Sequence, residues 1–347
     1  MNQKRMKDYG VRIGVFQRGK LNKITDVPGV SVGHATIDDE RHHTGVTVIM
    51  PCGDNMFTSK LTAASYVLNG FGKTQGLVQV DELGTLETPI ALTNTMNVGK
   101  VHDALAAYMA QRCKAGGVAL RSLNPVVGEC NDAAMNDICD RVVEKEHVFA
   151  AIEHACEDFA EGAVGCGRGT TCHGLKGGVG SASRIIPIGG VDYTLGVLVQ
   201  SNHGTLEELH VNERAIGKEI IKARRAKPEA EPTDRGSIIM VVGTDLPVTD
   251  RQLRRILKRC GVGLARVGSY YGHGSGDIMI GFSTANRVPH GGEHRVLEYK
   301  ALSEDALELA FRAVAEATQE AVLNSMVTAE PVTRLDGRVT ESLSQYL

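Results

Sequence analysis

One serine lies where a polar stretch gives way to an apolar one. Gly236-Ser237 is followed directly by five apolar residues, 238–242, whose length and composition favour a fully buried β-strand over a helix. Gly236 has no Cβ, so its carbonyl carbon is open to close approach by a neighbouring hydroxyl. These features predict that Ser237 is a nucleophile acting on the peptide bond before it. Gly-Ser before a strand is also ordinary turn chemistry, so the rest of the chain must decide between the two interpretations.

The segment before this junction suits a cleavable connection. Residues 228–235 read Pro-Glu-Ala-Glu-Pro-Thr-Asp-Arg, with two prolines and no apolar anchor. Such a composition is typical of an exposed linker, where chain cleavage is best tolerated. We therefore expect a linker that feeds directly into the buried strand at Ser237.

Composition limits the classes of function. The 347 residues contain 38 basic and 41 acidic side chains, a net charge of −3, which argues against a nucleic-acid or anionic-membrane surface. No uncharged apolar run approaches the roughly 18 residues of a membrane span, and no apolar segment follows the basic N-terminus. The eight cysteines form no CxxC pair, which indicates free thiols in a reducing compartment and predicts a cytoplasmic protein.

The spacing of other residues predicts neither a cofactor nor a metal. The glycine-rich run 165–180 matches neither of the common phosphate-binding spacings, so a rigid wall of a pocket or sheet is favoured over a nucleotide site. His173, His203 and His273 lie in loops, but no ligand spacing of the HExxH kind links them.

The elements that must position Ser237 alternate irregularly between strand and helix. We predict strands at 46–50, 89–95, 195–200, 238–242 and 278–283, a strand end that carries polar groups at 125–132, and two short strands joined by the Pro28-Gly29 turn. We predict helices at 61–68, 101–115, 148–161, 205–226, 249–260 and 303–325; the last has an apolar stripe of Leu307, Phe311, Val314, Ala317 and Ala321.

Several separated segments together resemble one family, in colinear order over nearly the whole chain. They are 24–34, 89–95, 165–180, Gly236-Ser237-Ile238-Ile239 and 274–286. The resemblance is to the self-processing aminopeptidases that include the L-aminopeptidase/D-amidase-esterases and the β-peptidyl aminopeptidases. It implies an N-terminal-nucleophile hydrolase of mixed α/β (α+β) class, a single-domain αββα sandwich over 1–347. It also implies a cut between Gly236 and Ser237, giving subunits 1–236 and 237–347 that remain together, and assembly as a homo-oligomer, with a tetramer favoured.

The resemblance assigns roles to further residues. Ser275 corresponds to a second catalytic serine, and Asp277 stands where relatives carry Glu, so its carboxylate is one methylene shorter. Asn202 is similar to the family's oxyanion-stabilising Asn, and Glu129 to the carboxylate that holds the free amino group of the substrate. Asn131 stands where some members place a Tyr near the oxyanion. This difference weakens any inference from the substrate preferences of those members to this chain.

These residue types suit acyl transfer. Once Ser237 is an N-terminus, its α-amino group, with an ordinary pKa of about 7.7–8.0, can accept the hydroxyl proton near neutral pH. The sequence therefore predicts a serine aminopeptidase or amidase acting on short peptides or amino-acid amides or esters. Two alternatives stay open: an amidase for non-peptide oligoamides, and an uncut, non-catalytic protein that binds a small molecule.

Overall fold

Two stacked β-sheets lie between two layers of helices in the computed structural model, which describes residues 3–224, 236–291 and 296–347. The strands are β1 Ser31–Asp38, β2 His43–Met50, β3 Ser59–Gly70, β4 Thr85–Leu86, β5 Ile90–Asn94, β6 Val126–Cys130, β7 Thr171–Cys172, β8 Leu175–Lys176, β9 Gly178–Ile188, β10 Val191–Asn202, β11 Ser237–Thr244, β12 Gly276–Pro289, β13 Val332–Thr333 and β14 Val339–Thr340. The helices are α1 Leu77–Leu83, α2 Val98–Ala115, α3 Lys145–Glu153, α4 Ile216–Arg224, α5 Asp250–Leu257, α6 Cys260–Arg266 and α7 Leu307–Val327.

The larger sheet holds the predicted nucleophile near its centre. Its strand order is β4-β3-β12-β11-β10-β9, and the smaller sheet runs β1-β2-β5-β6. Strand β11 pairs antiparallel with β10 and parallel with β12, so backbone hydrogen bonds hold both of its edges. The run of Val, Ile and Met in β11 is buried on both faces, as a central strand requires.

Three apolar layers make up the core. The first lies between the two sheets and includes Ile239, Val241, Ile278 and Ile280. The second lies between the six-stranded sheet and α4 to α7, and the third between the four-stranded sheet and the helices α2 and α3. The apolar stripe predicted for the last helix is buried in the second layer, on α7. The αββα layering expected from the resemblance is thus present, and within the described residues no helix is long and apolar enough to span a membrane.

Some predicted elements were wrong. Residues 61–68 are not a helix but part of β3, because pairing with β12 and β4 overrides the helical preference of an Ala- and Leu-rich segment. The first short strand is a 3-10 turn at Ile24–Asp26, where the Asp26 carboxylate accepts the backbone N–H groups of Leu21 and Lys23.

Two predicted helices are shorter than expected. Helix α3 ends at Glu153 because the chain then turns back, and Cys156 exchanges backbone hydrogen bonds with Val32 of β1. The helix expected at 205–226 is a short 3-10 turn followed by a loop, and α4 begins only at Ile216. Asn212 has a φ of 53°, which an α-helix does not accommodate. The predicted linker 228–235 and the predicted end of this helix at Ala226 lie outside the described residues.

The helix expected at 249–260 is two helices. Thr249 caps α5 as predicted, since its hydroxyl accepts the Gln252 N–H at 3.2 Å, but α5 ends at Leu257 and α6 begins at Cys260. All eight cysteines lie in the described residues, and none forms a disulfide bond there.

Candidate active site

Ser237 is the first residue of β11 and lies between the ends of two neighbouring strands. Asn202, the last residue of β10, is its antiparallel partner, and Gly276, the first residue of β12, is its parallel partner. The serine is 5% exposed. Side chains directly opposite each other on paired strands share one face of the sheet, so the Ser237 hydroxyl and the Asn202 amide lie on the same face.

The Ser237 hydroxyl is buried and makes no hydrogen bond with the residues that the structure describes. The thiol of Cys130, at the end of β6 in the facing sheet, is its neighbour, and that thiol donates to the Gln200 carbonyl at 3.3 Å. Burial raises the pKa of the Cys130 thiol well above its ordinary value, and interaction with the Ser237 hydroxyl opposes that rise only in part. The thiol is therefore neutral and serves as packing beside the serine.

Only glycine fits before the serine. A Cβ built on Gly236 would lie 1.9 Å from the carbonyl oxygen of Asn202 and 2.6 Å from Cα of His203. Its own carbonyl oxygen accepts the Gly276 N–H at 3.2 Å. In the intact chain, then, the carbonyl before Ser237 is held and polarised by a backbone donor.

The Asn202 side chain is held by its oxygen. Oδ1 accepts the backbone N–H of Thr171 at 3.0 Å, which fixes the orientation of the amide. The Nδ2 end therefore remains as the donor. A fixed amide N–H beside a serine is suited to stabilising a negatively charged oxygen.

Ser275 and Asp277 form a buried pair at the start of β12. Both are fully buried, and the Ser275 hydroxyl donates to Asp277 Oδ1 at 3.1 Å. Asn69 Nδ2 fixes the loop before them by donating to the carbonyl oxygens of Gly272, at 3.0 Å, and of Ser275. A β-bulge in β3 follows the pairing of Asn69 with Asp277, a feature that often re-aims side chains near active sites.

The pair makes no hydrogen bond to the Ser237 hydroxyl. Strand alternation places Asp277 on the face shared by Ile238 and Met279, which pack against the helices, whereas Ser237 shares its face with Ile239. The Ser275–Asp277 pair therefore flanks the backbone at Ser237 from the other face of the sheet.

Glu129 is a buried carboxylate at the end of β6, only 4% exposed. Oε1 accepts the backbone N–H of Lys73 at 2.9 Å, and Oε2 accepts the Thr95 hydroxyl. Within the described residues no salt bridge involves Glu129. A Cβ added to Gly72 would lie 3.5 Å from Glu129 Oε1 and 3.3 Å from Ile278 Cδ1. The loop at Gly72 therefore packs against both the Glu129 carboxylate and β12.

Asn131 lies apart from these groups. Its side chain is exposed, and Oδ1 accepts the backbone N–H of Ala133 at 3.0 Å, closing a local turn. The structure thus brings together Ser237, Asn202 and the strand start that carries Asp277, and leaves Asn131 at the surface.

Sequence reasoning missed the residues that hold this arrangement. They are Asn69, which fixes the loop of Ser275; Thr171, which orients Asn202; and Lys73 and Thr95, which bind Glu129. Two of these four act through backbone N–H groups, which leave no mark on residue type.

Known proteins resemble this chain in sequence and structure. Residues 22–340 match the model of peptidase family S58. The chain is 38% identical over 334 residues to a β-peptidyl aminopeptidase of Sphingosinicella xenopeptidilytica, covering 91% of this chain and 83% of that protein.

Two solved structures also match over almost their full length. A protein from Pyrococcus horikoshii OT3 is 45% identical with a TM-score of 0.91, covering 98% of this chain and 96% of that one. The L-aminopeptidase D-Ala-esterase/amidase of Ochrobactrum anthropi, described as a variant of the Ntn hydrolase fold, is 32% identical with a TM-score of 0.90, covering 98% and 95%.

Proposed function

The chain belongs to peptidase family S58, and from this premise we propose that it activates itself by cutting its own Gly236–Ser237 bond. It is a serine hydrolase of peptide or amide bonds with an N-terminal-nucleophile fold. The observation that carries the proposal is the position of Ser237, a buried serine at the start of a central strand. The position before it has room only for glycine.

The cut exchanges an amide for an ester and then for a carboxylate. Ser237 Oγ attacks the Gly236 carbonyl carbon, the C–N bond breaks, and the Ser237 nitrogen takes the hydroxyl proton to become an amine. Water then hydrolyses the ester, leaving the Gly236 carboxylate and a free Ser237. The Gly276 N–H already bonded to the Gly236 oxygen supports the negative charge that develops there.

Turnover repeats this chemistry on a substrate. The new α-amino group accepts the Ser237 hydroxyl proton as Oγ attacks the substrate carbonyl, and the leaving amine departs with a proton. Water hydrolyses the resulting ester. Asn202 Nδ2 donates to the oxyanion in both steps, and the Ser275–Asp277 pair orients the Ser237 amine from the opposite face of the sheet.

We propose short peptides and amino-acid amides or esters with a free amino group as the substrates. Glu129 supports this choice, because its buried carboxylate has neutral donors but no cationic partner among the described residues. A substrate ammonium supplies that partner. The names of two relatives, a β-peptidyl aminopeptidase and an L-aminopeptidase D-Ala-esterase/amidase, support the same class.

We also propose a homo-oligomer, with a tetramer favoured on the family resemblance. We propose the cytoplasm as its compartment, which suits eight cysteines that form no disulfide bond in the described residues. Sedimentation velocity of the purified protein tests the first point. Fractionation of the source cells tests the second.

Denaturing gel electrophoresis with intact-mass measurement tests the self-cleavage. Wild type should give two pieces that match residues 1–236 and 237–347, and Ser237→Ala should remain a single chain without hydrolytic activity. Ser283→Ala is the matched control, because Ser283 is also buried in this sheet but its hydroxyl donates to the Leu246 carbonyl at 2.7 Å. A Ser237→Ala chain that is cut at the same bond would contradict the proposal.

A further inference from the structure

Three buried side chains with metal-binding atoms meet beside the cleavage junction. Cys172 ends β7, His173 follows it, and His203 follows the last residue of β10. All three are at most 2% exposed, and one ligand atom from each lies within 4.8 Å of the others. The two imidazole rings are 5.2 Å apart between centroids and nearly perpendicular. The sequence did not indicate this cluster, because its members come from two turns separated along the chain.

One pair of atoms in the cluster has nearly the spacing of ligands on tetrahedral zinc. Zinc bonds of about 2.3 Å to sulfur and 2.0–2.1 Å to imidazole nitrogen place these atoms about 3.6 Å apart at a tetrahedral angle. Cys172 Sγ and His203 Nδ1 are 3.8 Å apart. A metal between them therefore needs little movement of either side chain.

The orientation of His173 is typical of a metal ligand. Its Nδ1 donates to the Thr205 carbonyl at 2.9 Å, and such a bond to a backbone oxygen fixes the ring and directs Nε2 to the metal. The ring also lies flat against Gly204, since a Cβ there would approach Cε1 to 2.4 Å. His173 has a φ of 47°, a conformation that non-glycine residues seldom adopt and that is often found at functional sites.

The chemical types of the three side chains indicate which metal would bind. Neutral imidazole and thiolate together form a donor set that favours zinc over magnesium or calcium.

We propose that Cys172, His173 and His203 bind one Zn²⁺ ion. The Cys172 thiol loses its proton to solvent when the S–Zn bond forms, so binding releases one proton. The site depends on neither self-cleavage nor hydrolysis. It joins the turn after Asn202 to the loop of Cys172, so the ion would brace the wall against which Gly236 packs.

Metal titration of the full-length protein, freed of metal by dialysis against a chelator, tests the proposal. One equivalent of Zn²⁺ should bind with a Kd of about 1 µM or tighter in competition with a chromogenic chelator, and should raise the Tm. Co²⁺ in place of Zn²⁺ should give a thiolate-to-metal charge-transfer band in the near ultraviolet. The exposed Cys139 and Cys156 are changed to Ser in all proteins, so that they cannot contribute to this band.

Variants identify the ligands. Cys172→Ser should abolish the cobalt band and weaken zinc binding more than about 100-fold. Mutation of residues that only support the ligands typically lowers metal affinity by about 10- to 100-fold, so a larger loss identifies Cys172 as a ligand. Cys260→Ser removes an equally buried thiol on α6 that is not part of the cluster, and this variant should bind as the parent does. Weaker zinc binding by the parent, no thiolate band, or unchanged binding by Cys172→Ser would each overturn the proposal. The first two results do not depend on whether Cys172→Ser folds.

Discussion

Asn202, the last residue of β10, lies directly across the antiparallel ladder from Ser237, the first residue of β11. The separation of these two residues is therefore fixed by sheet geometry rather than by a loop. A hydrogen bond from Thr171 N–H fixes the Asn202 amide as well. Both the proposed nucleophile and the proposed oxyanion donor are thus in place before any cut is made, and catalysis needs no rearrangement of the strands.

Replacing Asn202 should slow the chemical step. Asn202→Ala removes a fixed amide donor, and loss of one oxyanion donor typically costs about 100- to 1000-fold in kcat with little effect on KM. Steady-state kinetics on an amino-acid p-nitroanilide measures this. Asn131→Ala is the comparison, since Asn131 is exposed and only closes its own turn, so its kcat should stay near that of wild type. Equal losses in both variants would remove the special role of Asn202.

The Ser275–Asp277 pair should affect turnover more than stability. Ser275→Ala removes the hydroxyl that donates to the buried Asp277 carboxylate and should cost about 1–3 kcal/mol in the free energy of unfolding. Below the Tm of the variant, Ser275→Ala and Asp277→Asn should nevertheless slow cleavage or kcat. Ser269→Ala, another buried loop serine, serves as control. Full activity in either variant refutes the assignment for that residue.

Asp277→Glu tests the departure from the family pattern. It restores the longer carboxylate of relatives, but at a fully buried position the added methylene should cost about 1–3 kcal/mol of stability. The measurement is kcat of wild type and Asp277→Glu, each at the same number of degrees below its own Tm. A higher kcat for Asp277→Glu would show that the length of the carboxylate side chain limits activity, and a lower kcat would show that packing at this buried position does.

Glu129 should select substrates with a free amino group. A charge-assisted hydrogen bond to the substrate ammonium is worth roughly 1.5–3 kcal/mol, and an N-acetylated substrate also leaves the carboxylate unmatched. The measurement is the ratio of kcat/KM for a free and an N-acetylated p-nitroanilide, in wild type and in Glu129→Gln. Wild type should discriminate strongly and Glu129→Gln weakly. Equal use of both substrates by wild type would favour the oligoamide amidase, and undiminished discrimination by Glu129→Gln would remove only the role of Glu129.

His34 should make the fold sensitive to mild acid. Its ring lies between the Thr47 hydroxyl, at 2.9 Å, and the Ala160 carbonyl, at 3.0 Å, and burial lowers the pKa of His34 to about 4. Because the unfolded chain has the higher pKa, it binds more protons between pH 6.5 and 4, so stability falls as the pH drops through this window. The loss should reach up to about 3 kcal/mol. Urea unfolding of wild type and His34→Gln at pH 7 and 5 measures it, and equal pH dependence in the two would contradict the prediction.

The sequence predicted the strands with strong local signals and missed elements defined by distant partners. The apolar runs of β11 and β12 need both faces buried, so composition alone identified them. Residues 61–68 carry a helical composition, and only pairing with β12, more than 200 positions away, makes them a strand.

The candidate site shows the same limit. Ser237 could be proposed from its position at the start of an apolar run, and Asn202, Ser275, Asp277 and Glu129 came from the family resemblance. The groups that orient them, such as Thr171 N–H for Asn202, are close in space but carry no chemical signature in the sequence. The Cys172, His173 and His203 cluster was missed for the same reason, because ligand spacing along the chain describes only sites built from one segment.

The central position of β11 and β12 means that a cut before Ser237 would change how the protein can refold. Both strands would then belong to one piece, while their neighbours β10 and β3 belong to the other. The intact chain folds in a single-molecule process, but the two pieces of the cut protein would have to find each other, so recovery from denaturation becomes dependent on concentration. The cut product would persist because it unfolds slowly rather than because it refolds readily, and its lifetime would be set by an unfolding rate.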